Sequence, residues 1–273
     1  MKKWRLGILA FALLFILAAC GANDENGNNG NNGEENGEQG ATTKLKEDGV
    51  LTVGTEGTYA PYTFHNEEGD LTGYDVEVIR EVARRLDLDV EFMETQWDSM
   101  FAGLNSERFD LIANQVGINE ERLASYDFST PYTYSSAVVV VPQDNQAITS
   151  FEDLDGKTSA QSLTSNYAAI AEENGATLIG IEGLAQAIEL LKQGRADVTV
   201  NDKLAVLEYM KQQGEEQVKI VAQSDEVSEM AFALNKGNKE LIDAINEQLT
   251  AMKEDGTLAE ISDEWFGEDV SSK

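Results

Sequence analysis

The sequence predicts an α/β protein with two lobes, and three observations lead to this expectation. From residue 44 onward, short β-forming runs alternate with stretches of helical periodicity, as is typical of α/β domains. Two helix–strand joints, 103–114 and 190–201, carry matching residues, as two copies of one unit would. Two further β runs, 136–143 and 228–237, lie where the chain would leave the first lobe and return to it.

The first lobe is predicted to begin with alternating strands and helices that form mostly parallel sheets. The predicted strands are "VLTVGT", "DVEFME" and "DLIAN" (50–55, 89–94, 110–114), and the predicted helices are "DVEVIREVARRL" and "WDSMFAGLNS" (75–86, 97–106). The apolar residues of the first helix recur at helical spacing and are expected to face the core: Val76, Ile79, Val82, Ala83 and Leu86. Two last helices, 240–256 and 257–267, are expected to rejoin this lobe.

The matching joints place polar residues at the ends of two strands. Arg108 to Asp110 corresponds to Arg195 to Asp197, and Asn114 corresponds to Asn201. Ligands of open α/β sheets bind beyond the carboxyl ends of the strands, so the two asparagines predict lobes that face a shared cleft. A chance match is the alternative, because helix–turn–strand joints share their turn chemistry.

Composition excludes several functions. The formal net charge of -30 and the isoelectric point near 4.2 argue against binding to nucleic acid or to anionic lipid. One cysteine and one histidine exclude a disulfide framework and a zinc site of Cys and His ligands. We expect no metal and no cofactor.

The first 20 residues predict secretion and lipidation. Basic residues at positions 2, 3 and 5 precede an apolar run from Leu6 to Ala19, which is shorter than the ~20 residues that span a bilayer. The run ends in "LAAC", which resembles the lipobox of bacterial lipoproteins and implies a signal peptide, 1–19, and a diacylated Cys20. An ordinary signal peptide with an incidental cysteine, or a weak membrane anchor, is the alternative.

The segment from Cys20 to residue 43 predicts a flexible tether. Beyond the cysteine it is rich in Asn, Gly and Glu and has no large apolar residue, so it has nothing with which to form a core. No later stretch is apolar enough to span a membrane. The chain is therefore expected at the outer face of the cell membrane, and any transport is expected to occur in a partner.

Four segments together resemble the extracytoplasmic substrate-binding proteins of polar amino-acid ABC transporters, also called solute-binding protein family 3. They are "GTEGTYAPYTF", "LTGYDVEVIREVARRL", "DLIANQVGINEERLASYDFSTPY" and "ADVTVND". The similarity covers residues 45 to 267 and implies a two-lobed periplasmic-binding-protein-like fold (type II), with the ligand in a cleft between lobes joined by two hinge strands. The lobes are expected at 44–141 with 232–267, and at 142–231, followed by a tail at 268–273.

The resemblance implies that Arg122 holds the α-carboxylate of a free amino acid, since a guanidinium can meet a carboxylate with two parallel hydrogen bonds. It also implies that Asp202 binds the α-ammonium group from the other lobe. A solvated surface charge is the alternative for Arg122, and the N-cap of the helix at 203–211 is the alternative for Asp202.

The resemblance also implies walls and further polar contacts around the ligand. Tyr59 and Trp97 are expected as walls, although either would also suit an ordinary core. Glu56 is expected to contact the side chain or amino group of the ligand. The remaining predicted ligand-binding residues are the turn residues Asn114, Gln115 and Gly117 and the hydroxyl-bearing run Ser162, Thr164 and Ser165, for which a plain helix N-cap is the alternative.

"QSLTSN" and "NDKLAVLEYMK" resemble the cystine-binding branch rather than the glutamine, histidine or arginine branches. The expected function is capture of L-cystine by a monomer and its delivery to an ABC permease with its ATPase. The alternative within transport is capture of glutamine, arginine or histidine by the same mechanism. Outside transport, the rival functions are a cyclohexadienyl dehydratase-like enzyme and a soluble ligand sensor. The only histidine, His65, lies in a turn-like segment, and no carboxylate pair stands out by its spacing, which disfavours the enzyme.

Overall fold

The computed structural model describes residues 45–214 and 216–273. Its strands are β1 Val50–Thr55, β2 Thr58–Tyr59, β3 Thr63–His65, β4 Leu71–Thr72, β5 Asp89–Glu94, β6 Leu111–Gly117, β7 Tyr126–Phe128, β8 Thr133–Pro142, β9 Thr158–Gln161, β10 Thr177–Gly180, β11 Thr199–Asp202 and β12 Val218–Asn235. Its helices are α1 Tyr74–Arg85, α2 Trp97–Asn105, α3 Glu120–Ser125, α4 Asn166–Glu173, α5 Leu184–Lys192, α6 Lys203–Gln213, α7 Lys239–Glu254 and α8 Thr257–Phe266. The predicted strands and helices therefore exist, with ends that mostly lie within three residues of the expected ones.

The main sheet is mixed, whereas mostly parallel sheets were predicted. Its strands follow the order β11-β8-β12-β6-β1-β5, and β7 also pairs with β12. The pairs β1–β5 and β1–β6 are parallel, but β12 runs antiparallel to both β6 and β8, and β8 runs antiparallel to β11. The prediction was wrong because the long strands β8 and β12 pair with each other in opposite directions, which local alternation does not reveal.

Two lobes share the strands β8 and β12. The first lobe is built on β1, β5 and β6 with α1, α2, α7 and α8, and the second on β9, β10 and β11 with α4, α5 and α6. Residues 133–136 of β8 pair with residues 227–230 of β12, and β12 pairs with β6 of the first lobe from residue 230 onward. Residues 137–140 of β8 pair instead with β11 of the second lobe. Each long strand therefore contributes to both lobes, and the predicted boundaries at 141/142 and 231/232 fall inside continuous strands.

Apolar faces of the expected periodicity form the cores. Val78, Ile79 and Val82 of α1 are fully buried in the same cluster as Leu51 and Val53 of β1. Of the residues predicted to face inward, Val76, Ile79, Val82 and Ala83 are buried and Leu86 packs partly buried against the cluster. The second lobe buries Val139, Val141, Val198 and Val200 in a cluster with Leu154 and Ala171.

The two matching joints have the same hydrogen bonds. In the first lobe, the Asp110 carboxylate accepts from the backbone N–H and the hydroxyl of Thr52, at 2.8 and 2.6 Å. In the second lobe, the Asp197 carboxylate accepts from the same two groups of Thr158, at 2.8 and 2.7 Å. Each aspartate thus ties the beginning of its own strand segment to a neighbouring strand, which is the equivalence that the sequence match suggested.

Within the residues that the structure describes, no helix is long and apolar enough to cross a membrane. The predicted signal peptide, Cys20 and the predicted tether lie outside those residues.

Candidate functional site

A cavity lies between the two lobes, a position in which small-molecule sites preferentially occur. First-lobe residues on one side face second-lobe residues on the other. The lining residues are Glu56, Thr58, Tyr59, Trp97, Asn114, Gln115, Gln161, Ser162, Ser165, Asn166, Tyr167, Gly183, Leu184 and Asn201.

Glu56 and Asn114 form a polar wall in the first lobe. The Asn114 side chain donates to Glu56 Oε2 at 2.7 Å and accepts from the Glu56 backbone N–H at 2.8 Å. Burial raises the pKa of the Glu56 carboxyl to about 7, and the hydrogen bond from Asn114 opposes that shift. This carboxylate faces a cavity and is suited to accept from an ammonium group.

Gln115 adopts a backbone conformation that is rare for a residue with a side chain. Its φ is +49°, and its backbone N–H and its Nε2 each donate to the buried carboxylate of Asp75 at 2.6 Å. Asp75 therefore fixes both the main chain and the side chain of this cavity residue. The Oε1 atom of Gln115 and the Nε1 atom of Trp97 are buried and have no hydrogen-bond partner among the described residues. Polar atoms of this kind at a cavity wall favour a polar ligand.

The second-lobe wall is contributed mainly by the ends of helices. Ser165 caps α4, because its hydroxyl accepts from the Ala168 N–H at 3.0 Å, and Gly183 precedes α5. The plain capping role of Ser165 is thus present. The Tyr59 hydroxyl of the first lobe donates to Asn201 Oδ1 at 2.9 Å across the cleft. The cavity is therefore partly closed by the protein's own contacts.

Arg122 is buried beside the cavity rather than solvated at the surface. Its guanidinium donates to the carbonyl oxygens of Gly117 and Thr164, at 3.0 and 3.2 Å. It also lies over the rings of Trp97 and Phe101, 5.4 and 5.2 Å from their centroids. Among the described residues, no carboxylate oxygen lies within 4.0 Å of it. Burial lowers the pKa of Arg122 to about 10, as expected of a desolvated cation.

Asp202 is 1% exposed and does not line the cavity. Its Oδ1 accepts from the N–H groups of Leu204 and Ala205, at 2.9 and 3.0 Å, which is the N-cap of α6. The hydroxyls of Tyr62 and Tyr167 donate to its two oxygens at 2.6 and 3.3 Å. Burial raises the pKa of Asp202 above its ordinary range. The structure thus shows the capping role that the sequence left open.

The remaining predicted residues fall into two groups. Those at the cavity wall are Glu56, Tyr59, Trp97, Asn114, Gln115, Ser162 and Ser165. Arg122 and Thr164 line a neighbouring cavity that shares Ser165 and Asn166 with the first, and Gly117 lies close to Asn166. The prediction of ligand contact was not made for Thr58, Gln161, Asn166, Tyr167, Gly183, Leu184 or Asn201. Asn201 had a usable signal, because it corresponds to Asn114 in the sequence match.

This architecture, two α/β lobes that share two strands around a polar cavity, is that of an extracellular solute-binding protein. The chain belongs to the bacterial extracellular solute-binding proteins, family 3, whose pattern matches residues 51–268. It is 55% identical to the L-cystine-binding protein TcyA of Bacillus subtilis (strain 168) over 272 residues, which is 99% of this chain and 100% of the relative.

Two solved structures differ informatively in their likeness to this chain. The L-cystine solute receptor of Neisseria gonorrhoeae, unliganded and open, is 50% identical with a TM-score of 0.56, covering 82% of this chain and 95% of its own. An ancestral arginine-binding protein bound to glutamine is only 36% identical but has a TM-score of 0.77, covering 81% and 100%. The chain is therefore more similar in sequence to the unliganded, open receptor and more similar in structure to the glutamine-bound protein.

Proposed function

We propose that this protein captures free L-cystine outside the cytoplasm and delivers it to the permease of an ABC transporter for import. The observation that carries the proposal is Arg122, a buried guanidinium beside an interlobe cavity with no carboxylate partner among the described residues. A buried charge without a counter-charge is costly, and the carboxylate of an amino acid would relieve that cost. The 55% identical relative is an L-cystine-binding protein, which supports cystine as the ligand.

The two charged groups of the ligand need different partners. Arg122 would bind the α-carboxylate, and the backbone around Gly117 would complete that site. Glu56 supplies a carboxylate at the cavity wall for the α-ammonium group. Asp202, behind Tyr167, would contribute to the ammonium site once the ligand displaces the tyrosine contact. Tyr59 and Trp97 would form the walls, and the polar contacts would come from Asn114, Gln115, Ser162 and Ser165. Thr164 would act from behind this wall, because its polar groups bind Asp98 and Arg122.

Capture would proceed by closure of the lobes. Open lobes admit the amino acid, and closure is stabilised because the ligand contacts both lobes only when they meet. The strands β8 and β12 would bend near residues 135–137 and 223–228, where the pairing changes from one lobe to the other and β12 shifts its register. Bends at these places would assign residues 138–141 to the second lobe and 229–231 to the first, so the lobes would differ from the expected 44–141 with 232–267 and 142–231 at these strand ends.

The remaining part of the proposal concerns the cellular location and the partners of the protein. Lipidation of Cys20 would hold a monomer at the outer face of the cell membrane through the tether 20–43, beside the permease and its ATPase. No cofactor is required for capture, and we assign no catalytic turnover to the site.

Thermal melting of residues 44–273 against a panel of free L-amino acids tests the ligand. A ligand that binds only the folded state raises stability by about 2.7 kcal/mol at 100 times its Kd, so cystine should raise Tm visibly. A shift with glutamine, arginine or histidine instead would keep the transporter function and refute cystine. The absence of any shift across the panel would refute amino-acid capture.

A further inference from the structure

Every backbone and side-chain polar group of Thr164 binds the opposite lobe. This second-lobe residue lies in the turn between β9 and α4. Its N–H and its hydroxyl donate to Asp98 Oδ1 at 3.0 and 2.9 Å, and its carbonyl accepts from Arg122 at 3.2 Å. The neighbouring Leu163 N–H donates to the other carboxylate oxygen of Asp98 at 3.3 Å. One turn of the second lobe is thus held by two first-lobe residues of opposite charge.

Asp98 is an exposed residue in the first turn of α2 and does not line the cavity. An acid in this place is favourable to the helix dipole whatever it contacts. Here, however, it accepts from three donors that lie 65 and 66 residues away in the sequence. The sequence predicted that the hydroxyl-bearing run binds the ligand, whereas in this arrangement the donors at 163 and 164 bind the carboxylate of Asp98.

We propose that Asp98 is a positioning residue for ligand capture. Together with Leu163 and Thr164 it forms a clasp, the Asp98 clasp, which exists only when the lobes are closed. The same contact fixes the Thr164 carbonyl that Arg122 binds, so the clasp also orients the guanidinium. Opening must break these charge-assisted hydrogen bonds before the ligand can leave. The clasp therefore slows release rather than speeding entry.

The inference rests on the proposed function for its ligand, but its geometry can be tested separately from the release rate. In the full chain with saturating L-cystine, which holds the lobes closed, amide hydrogen exchange at Leu163 and Thr164 should be slow in the wild type and clearly faster in Asp98→Ala. The amide of Ala168, which donates to Ser165, should be unaffected and serves as the internal control. Equal exchange at Leu163 and Thr164 in both proteins would overturn the clasp whatever the ligand is.

The functional test uses L-cystine and stopped-flow dissociation. Asp98→Ala should release L-cystine about tenfold faster with little change in the association rate, because charge-assisted hydrogen bonds are lost only from the closed state. Asp98→Asn keeps one acceptor oxygen, so its release rate should lie between those of the wild type and Asp98→Ala. Glu120→Ala removes an exposed acid from the first turn of α3 and should match the wild type. An unchanged release rate in Asp98→Ala would overturn the proposal.

A second variant removes only the partner hydroxyl. Thr164→Val should raise the release rate less than Asp98→Ala, and the double variant should release no faster than Asp98→Ala alone, because both act on one contact. Additive effects would contradict a shared clasp. If L-cystine fails to bind the wild type, the proposed function fails, and the exchange and release experiments decide the clasp with whichever amino acid of the panel raises Tm. If no amino acid binds, the clasp fails as well, because a positioning residue for capture requires a captured ligand.

Discussion

At the scale of single residues, Arg122 shows how burial changes the meaning of a charge. The guanidinium is shielded by Trp97 and Phe101 and has only carbonyl oxygens as hydrogen-bond partners among the described residues. A surface arginine would be fully hydrated and would have little energetic reason to bind an anion. In this protein, folding has already removed water from the Arg122 guanidinium, so an incoming carboxylate binds a cation whose desolvation cost has been met.

Replacement of Arg122 by alanine should abolish measurable amino-acid binding while the protein stays folded. The loss should be about 100-fold or more in Kd, since removal of one partner of a buried charge pair costs roughly 2–5 kcal/mol. Isothermal titration measures the affinity, and circular dichroism checks the fold. Arg84→Ala, which removes an exposed arginine paired with Glu81 on α1, is the matched control and should bind normally. Near-normal affinity in Arg122→Ala would refute the assigned role.

At the scale of elements, the two aspartate–threonine joints determine how strands begin in each lobe. Asp110 and Asp197 each accept a backbone N–H and a hydroxyl from Thr52 and Thr158, and each donates its own N–H back to the same threonine hydroxyl, at 3.0 and 3.2 Å. In the second lobe, the hydrogen bond from the Thr158 N–H lowers the pKa of the Asp197 carboxyl. The same chemical device thus aligns neighbouring strands in both lobes.

Asp110→Asn and Asp197→Asn should each destabilise the protein by about 1–2 kcal/mol, because an amide replaces a carboxylate that accepts from a threonine N–H and hydroxyl, and at Asp110 also from the Lys46 N–H. Urea denaturation measures the loss. Asp243→Asn, at an exposed helix site, should cost far less. If Asp110→Asn or Asp197→Asn lowers the free energy of unfolding no more than Asp243→Asn does, the hydrogen bonds of that joint do not set the strand alignment.

At the scale of the whole molecule, acidic groups are buried between the lobes in a chain of net charge -30. Burial raises the pKa of Asp75 to about 7, hydrogen bonds from Gln115 oppose the shift, and Asp202 of the second lobe adds to it. Burial likewise raises the pKa of Glu56 to about 7. Such groups keep a proton in the folded state that the unfolded chain has already lost, because an unfolded carboxyl titrates near pH 4.

The ligand-free protein should therefore lose stability as the pH rises from about 4 to 7, and the loss should level off above pH 7. Asp75 alone should account for about 2 kcal/mol between pH 5.5 and 7.5, since the folded state binds one proton more than the unfolded state below its pKa. Urea denaturation across this range measures the slope. Asp75→Asn should have a shallower slope, and an unchanged slope would contradict the assignment.

The sequence by itself determined the local features of this protein. Helical and strand periodicity set the element positions, and the joint match predicted equivalent aspartates. The quoted motifs and the resemblance indicated the family and half of the residues of the cavity wall, including Glu56 and Asn114. These features depend on neighbours in the chain, or on one short motif, so residue spacing carries them.

Only the tertiary structure decided what depends on partners far apart in the chain. It brought the hydroxyls of Tyr62 and Tyr167 to the Asp202 carboxylate, it made the main sheet mixed through β8 and β12, and it set Asp98 against Thr164. The physical reason is that a buried polar group takes whichever partner the folded chain brings within hydrogen-bonding distance. Contacts between the lobes supply Tyr62 to Asp202 and Thr164 to Asp98, and no local sequence pattern records how the lobes meet.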